Sequence, residues 1–198
     1  DEGEIDYLIA AVNRYFKEKL RRADVLHSFS GVRPLFDDGK GNPSAVTRDY
    51  VFDLDETGGA PLLNIFGGKI TTFRELAERA MHKLRGVFPN MGGDWTHDAT
   101  LPGGEIPNAD YETFVDTLRS DYPWMPRPLV EHYGRLYGAR AGDVVAGATD
   151  LDGLGRHFGG LFYEAEARYL VAKEWARTPE DILKRRTKHY LHLTDGEQ

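Results

Sequence analysis

The chain has 198 residues, with 25 lysines and arginines against 32 aspartates and glutamates, which gives a formal net charge of −7. It contains no cysteine, so disulfides, cysteine-based zinc sites and thiol nucleophiles are excluded. With 40% hydrophobic and 29% charged residues the composition is that of a globular protein. The acidic balance argues against a nucleic-acid partner, which needs clustered lysine and arginine.

A helix and three short strands are predicted at the start of the chain. Apolar residues recur at three- and four-residue spacing over residues 5–16, which is typical of an amphipathic helix. Residues 24–36, 50–54 and 61–66 are rich in β-branched and aromatic types, and turn-forming residues separate them. We therefore expect an antiparallel meander. The acidic opening has no basic segment followed by an apolar run, so we expect no signal peptide and interpret the chain as a piece of a longer protein.

The third strand leads through Gly67, Gly68 and Lys69 into a predicted helix over residues 73–84, with Thr71 or Thr72 as its N-cap. Glycines allow a ligand to approach the backbone, and helix amides with a lysine attract negatively charged groups. The alternative is an ordinary turn in which glycine only satisfies the backbone angles. Spacing alone favours neither interpretation.

After a stretch rich in glycine and proline over residues 89–104, every periodic segment is helical. The predicted helices cover residues 111–118, 129–136, a short stretch at 144–145, 161–175 and 179–190. We expect Tyr163, Tyr169 and Trp175 to pack in the core. The predicted fold class is α+β, with short antiparallel strands and helices in residues 1–100 and an all-helical domain in residues 101–198.

Two arginines, Arg33 and Arg48, lie beside predicted strands. If the strands are neighbours, the two guanidinium groups can converge on one phosphate or carboxylate. The alternative is that each arginine pairs with a nearby acid, such as Asp37 or Asp49. The residues by themselves favour this local pairing.

The histidines do not show the spacing of a metal site. His189 and His192 are three residues apart, but no third ligand stands at a suitable distance along the chain, so we predict no metal. Near them, Lys184, Arg185, Arg186 and Lys188 form a basic cluster at a predicted helix end. Compensation of the negative helix terminus is the simplest interpretation, and contact with phosphates or an anionic membrane is the alternative.

In their order along the chain, several segments resemble the C-terminal part of the FAD-dependent aerobic, or respiratory, glycerol-3-phosphate dehydrogenases of the bacterial type. The resemblance runs from end to end, and the motifs after residue 101 are the more specific ones. The segments are SGVRPL at 30–35, TRDY at 47–50, GGKITTFR at 67–74, LPGG at 101–104, FYEAE at 162–166, EW at 174–175, PEDIL at 179–183 and RRTK at 185–188.

The resemblance implies a reaction in which sn-glycerol 3-phosphate becomes dihydroxyacetone phosphate and the electrons pass through FAD to a membrane quinone. It implies that Arg33 and Arg48 hold the phosphate end of the substrate, in contrast to the pairing with nearby acids that the residues by themselves favour. Lys69 would lie near both flavin and substrate. The implied FAD contacts, largely through backbone amides, are Gly67, Gly68, Lys69, Ile70, Thr71 and Thr72.

The resemblance further implies a cytoplasmic protein at the inner face of the cytoplasmic membrane, with homodimerisation as an open question. The glycine-rich fingerprint that holds the FAD pyrophosphate has no match in these residues, and neither does the calcium loop of mitochondrial relatives. The general base is expected upstream, so no catalytic residue is predicted, and the isolated chain is expected to be inactive. The rival hypotheses are a non-catalytic helical docking or oligomerisation module and a related flavoenzyme with another substrate.

Overall fold

The computed structural model describes residues 1–32, 36, 49–194 and 196. The chain divides into two compact units, residues 1–97 and residues 98–198. The first contains helix α1 (Glu2–Tyr15), strands β1 (Tyr50–Asp55) and β2 (Leu62–Gly67), and helix α2 (Phe73–Leu84). Six α-helices and two small antiparallel sheets make up the regular structure of the described residues, which confirms the predicted α+β class.

In the first unit, β1 and β2 form an antiparallel hairpin whose register pairs Tyr50 with Gly67 and Asp55 with Leu62. Helix α2 packs against both strands. The strand predicted within residues 24–36 is wrong for residues 24–32, because a 3-10 turn at Arg22–Asp24 is followed by irregular chain. The rest of that prediction lies largely outside the described residues. β-branched and aromatic content raises strand propensity, but a strand forms only where a partner strand is present.

The second unit contains α3 (Tyr111–Asp121), α4 (Arg127–Tyr137), α5 (Ala141–Val145) and α6 (Glu164–Lys173). Their buried side chains form one core, in which Leu129, Val130, Tyr133, Val144 and Leu170 are almost fully shielded from solvent. The predicted helices at 111–118, 129–136 and 144–145 are therefore confirmed. A core of this kind explains why the apolar residues of these helices recur on one face.

This mostly helical unit also contains a small hairpin that the periodicity did not reveal. Strands β3 (His157–Gly159) and β4 (Phe162–Tyr163) pair antiparallel across Gly159 and Gly160, both of which have positive φ. Two consecutive glycines between apolar residues are a hairpin signal. Residues 161–163, predicted as the start of a helix, therefore belong to the hairpin turn and to β4, and α6 begins at Glu164.

Two further predictions for the second unit need correction. Trp175 is 83% exposed. It adopts a left-handed backbone conformation, with φ of 57°, directly after α6. The amide of the next residue, Ala176, donates to the carbonyl of Leu170. A left-handed residue commonly ends a helix in this way. The predicted helix over residues 179–190 is a π-helical turn (Asp181–Arg186) and a separate 3-10 turn (His189–Leu191).

Asp181 fixes the start of the π-helical turn. Its carboxylate accepts hydrogen bonds from the backbone amides of Arg177 and Thr178, each at 3.0 Å, and from the guanidinium of Arg185 at 2.7 Å. These donors, the Arg177 amide first, hold the pKa of Asp181 well below its ordinary value. Asp181→Asn is therefore expected to lower the thermal unfolding midpoint at neutral pH, measured by circular dichroism.

The sign of the pH dependence follows from the lowered pKa. Asp181 stabilises the fold above the ordinary aspartate pKa of about 4, and this contribution is lost as pH falls towards the folded-state value. The difference between wild type and Asp181→Asn should therefore narrow below about pH 4. Asp116→Asn, the same chemical change in an exposed pair with Arg119, is the control and should change little. Equal midpoints for wild type and Asp181→Asn at neutral pH would contradict the assignment.

Candidate functional site

The glycine-lysine turn of the first unit joins β2 to α2. Gly67 and Gly68 have φ of 73° and 90°, a region that favours glycine. A Cβ on Gly68 would stand 3.3 Å from the Leu76 side chain and 3.4 Å from Tyr50. Backbone geometry therefore requires glycine at Gly68, which agrees with the interpretation of an ordinary turn. Ligand binding at this turn stays a prediction.

The remaining residues of the turn form a 3-10 turn (Ile70–Thr72) that runs into α2. Thr72 is the N-cap residue of α2, but its hydroxyl donates to the carbonyl of Lys69 at 3.0 Å and does not cap the helix. The side chains of Lys69, Ile70 and Thr71 are exposed. The structure thus brings the predicted FAD contacts Gly67 to Thr72 together on one exposed turn. Arg33 and Arg48, predicted to bind substrate, lie outside the described residues.

The basic cluster predicted in the second unit is satisfied locally. Arg185 pairs with Asp181 at 2.7 Å, and Lys184 pairs with Glu180 at 3.3 Å. The side chains of Arg186 and Lys188 donate to backbone carbonyls at 2.6 and 2.7 Å. Local partners of this kind agree with the simpler interpretation of the cluster.

A fully buried carboxylate in the second unit contacts three polar side chains. Glu166 of α6 has no solvent exposure, yet its two oxygens meet two imidazoles and a phenol. His132 Nε2 lies 3.0 Å from Oε1, His189 Nε2 lies 3.0 Å from Oε2, and the Tyr137 hydroxyl donates to Oε1 at 2.7 Å. We call these four residues the Glu166 cluster. It joins α4, α6 and the C-terminal 3-10 turn.

The electrostatics of the Glu166 cluster follow from these contacts. Burial acts to raise the pKa of Glu166, but the hydrogen bonds and positive potential of His132 and His189 outweigh it and lower the pKa to about 2. The carboxylate is therefore ionised at neutral pH. Since an ionised carboxylate only accepts hydrogen bonds, both imidazoles donate through Nε2. Burial and the neighbouring Glu166 charge raise the pKa of the Tyr137 phenol, which stays protonated as a donor.

A cavity of about 790 Å³ adjoins the Glu166 cluster. His132 and His189 line it, and so do five further charged or titratable side chains, among them Arg135, Lys188 and His192. The His132 side chain is 16% exposed, whereas that of His189 is 5% exposed. The cavity therefore connects solvent to the imidazole side of a buried carboxylate.

The Glu166 cluster is not apparent in the sequence, because its members are far apart along the chain. His132 and His189 are brought together only by folding, so their spacing carries no signal. One signal was present in α6, where Glu166 lies three and four residues before the buried Tyr169 and Leu170. A glutamate on the apolar face of a helix needs buried partners.

Comparison with known sequences places the chain in a family. Residues 95–196 match the family described as the C-terminal domain of alpha-glycerophosphate oxidase. The chain belongs to this family, which confirms the resemblance inferred from the motifs.

Three bacterial relatives align with the whole chain. A D-erythritol 1-phosphate dehydrogenase of Brucella abortus (strain 2308) is 83% identical to it. The aerobic glycerol-3-phosphate dehydrogenase of Escherichia coli (strain K12) is 45% identical, and a glycerol-3-phosphate dehydrogenase of Pseudomonas aeruginosa is 46% identical. All of this chain is covered in each case, but only 39%, 40% and 38% of the respective relative. The chain therefore spans about two fifths of the length of these relatives.

Proposed function

We propose that the chain is part of a longer FAD-dependent dehydrogenase that oxidises a phosphorylated polyol. The observation that carries the proposal is the alignment of the whole chain with relatives named for D-erythritol 1-phosphate and for glycerol 3-phosphate. Both compounds are polyol monophosphates. We take D-erythritol 1-phosphate as the preferred substrate because its relative is 83% identical. Glycerol 3-phosphate, implied by the sequence motifs, is the second candidate.

The glycine-lysine turn supports the cofactor part of the proposal. Gly67 and Gly68 have no side chains of their own to cover the backbone, and residues Ile70 to Thr72 continue the turn into α2. These residues would hold FAD through the backbone, and the exposed Lys69 would compensate negative charge on the ring. The chemistry that a bound FAD supplies is acceptance of the two electrons released when the alcohol becomes a ketone.

The surface of the first unit also supports membership in a larger domain. Ala80 is the one buried residue among the described residues of this unit. On β2, Leu62 is 58% exposed, Ile65 43% and Phe66 41%. In a larger domain, a second layer packed on the face of the hairpin would cover such side chains. We therefore propose that residues 1–100 belong to a FAD and substrate domain and residues 101–198 to a separate helical domain, and that the isolated chain is inactive.

The electron acceptor, location and assembly are part of the same proposal. Electrons would pass to a membrane quinone. The protein would bind peripherally at the inner face of the cytoplasmic membrane and would form a homodimer. No helix among the described residues is long and apolar enough to cross a membrane.

In the full-length flavoprotein, Arg33→Ala and Arg48→Ala should each raise KM for the phosphorylated polyol about 10- to 100-fold. A charge-assisted hydrogen bond contributes about 1.5–3 kcal/mol, and each 1.4 kcal/mol corresponds to about tenfold in affinity. The measurement is dye-linked oxidation of D-erythritol 1-phosphate and, separately, of glycerol 3-phosphate. We expect the higher kcat/KM with D-erythritol 1-phosphate.

Arg21→Ala is the matched control, because Arg21 is an exposed arginine of the same unit that pairs with Asp24. Its KM should equal that of the wild type. An unchanged KM in both Arg33→Ala and Arg48→Ala would refute the phosphate contacts. Absence of activity with both polyol phosphates in a flavin-loaded enzyme would refute the proposed function.

A further inference from the structure

The Glu166 cluster has the composition of a metal centre as well as that of a hydrogen-bonded network. His132, Glu166 and His189 each offer one ligand atom, and the three atoms lie within 4.8 Å of one another. Two imidazoles and one carboxylate are a ligand set that zinc enzymes use, with a fourth position left for water. This set belongs to the helical unit, whereas the residues to which the polyol phosphate chemistry is assigned belong to residues 1–97.

The separations of the ligand atoms fit a small tetrahedral ion. Zinc binds imidazole nitrogen and carboxylate oxygen at about 2.0–2.2 Å, so two ligands of one tetrahedral zinc lie about 3.3 Å apart. Glu166 oxygens lie 3.0 Å from Nε2 of His132 and 3.0 Å from Nε2 of His189. For all three atoms to surround one ion, the widest separation, which is within 4.8 Å, must contract to about 3.3 Å.

The surroundings of the cluster fit a metal in two further respects. The Tyr137 hydroxyl donates to Glu166, and such an outer partner orients a metal-binding carboxylate. The cavity lined by His132 and His189 gives an ion and a water ligand a route from solvent. Glu166 is fully buried, which favours a structural metal site that links segments of the fold over transient binding at the surface.

We propose that His132, Glu166 and His189 bind one zinc ion, which ties helices α4 and α6 to the C-terminal 3-10 turn. Binding replaces the Nε2 proton of each imidazole, which moves to Nδ1 of the same ring or leaves to solvent when the ring is charged. The fourth ligand is a water from the cavity. Zinc in this place stabilises the helical unit, and Glu166 compensates one of its two charges.

The test uses the full 198-residue chain, first treated with a chelator and then titrated with Zn²⁺ in a calorimeter. We expect uptake of one equivalent, a rise in the thermal unfolding midpoint, and binding at least about tenfold weaker in His189→Gln and His132→Gln. Titration with Co²⁺ should give visible absorption bands of a low-symmetry site with nitrogen and oxygen ligands in the wild type, and much weaker bands in both variants.

His192→Gln is the matched control, because His192 lines the same cavity but does not contact Glu166 in any described hydrogen bond. It should bind Zn²⁺ as the wild type does. Two outcomes would overturn the proposal. One is a wild-type chain that takes up no stoichiometric Zn²⁺. This result can be interpreted without any variant, and it would mean that the cluster is a hydrogen-bonded network and not a metal site. The other is equal affinity and equal Co²⁺ spectra in wild type and in folded His132→Gln and His189→Gln.

Discussion

Glu166→Gln is expected to lower the free energy of unfolding of the metal-free chain by about 3 kcal/mol or more. Removal of one partner from a buried ionic network costs about 3–5 kcal/mol, because the remaining polar groups stay buried without compensation. In the variant, the amide nitrogen would face donors of His132, His189 or Tyr137, all of which now donate to carboxylate oxygens. The measurement is urea-induced unfolding in the presence of a chelator.

Two further variants make the result for Glu166 specific. Glu112→Gln is the same chemical change at an exposed position of α3 and should alter stability by less than about 0.5 kcal/mol. Tyr137→Phe removes one donor to the ionised carboxylate and leaves both imidazoles in place, so we expect an intermediate loss of about 2 kcal/mol. If Glu166→Gln and Glu112→Gln unfold at the same urea concentration, the cluster does not hold the unit together.

Gly138→Ala is the second substitution for which we expect a large effect, a loss of more than about 3 kcal/mol or failure to fold. Gly138 follows α4 with φ 55, and a Cβ there would stand 2.0 Å from the carbonyl oxygen of Gly103. That oxygen accepts the amide of Ala139 at 2.9 Å, so it is held in place. Backbone cannot move aside as the end of a flexible side chain can.

Gly147→Ala is the control that separates backbone strain from steric clash, the two causes of the stability loss expected for Gly138→Ala. Gly147 also has positive φ, at 84°, but nothing lies within 4 Å of an added Cβ. It should show only the backbone strain of about 1–2 kcal/mol. The excess loss in Gly138→Ala over Gly147→Ala, measured by urea unfolding, then reports the clash with Gly103. Equal losses at the two glycines would show that the approach of the two segments does not limit stability.

Local structure was predictable wherever a single segment carries its own signal. The helices predicted from the periodicity of residues 73–84 and 111–118 agree with the structure. The predicted strand over residues 24–32 and the single helix over residues 179–190 did not form. The first depends on a neighbouring strand outside the segment. The second depends on contacts within it, because the Thr187 amide and hydroxyl donate to the carbonyl of Ile182 and widen the turn to a π-helix.

The sequence by itself determined the family, the α+β class and the glycine-lysine turn at Gly67 to Lys69, because each is written in contiguous residues or in composition. Only the tertiary structure decided that His132, Glu166 and His189 meet. The three residues are 23 to 57 positions apart along the chain. A buried charge is stable only where hydrogen-bond donors surround it, and here the donors come from segments that are distant in sequence. Local spacing of histidines predicts no metal site here, whereas folding creates the ligand set from which we infer one.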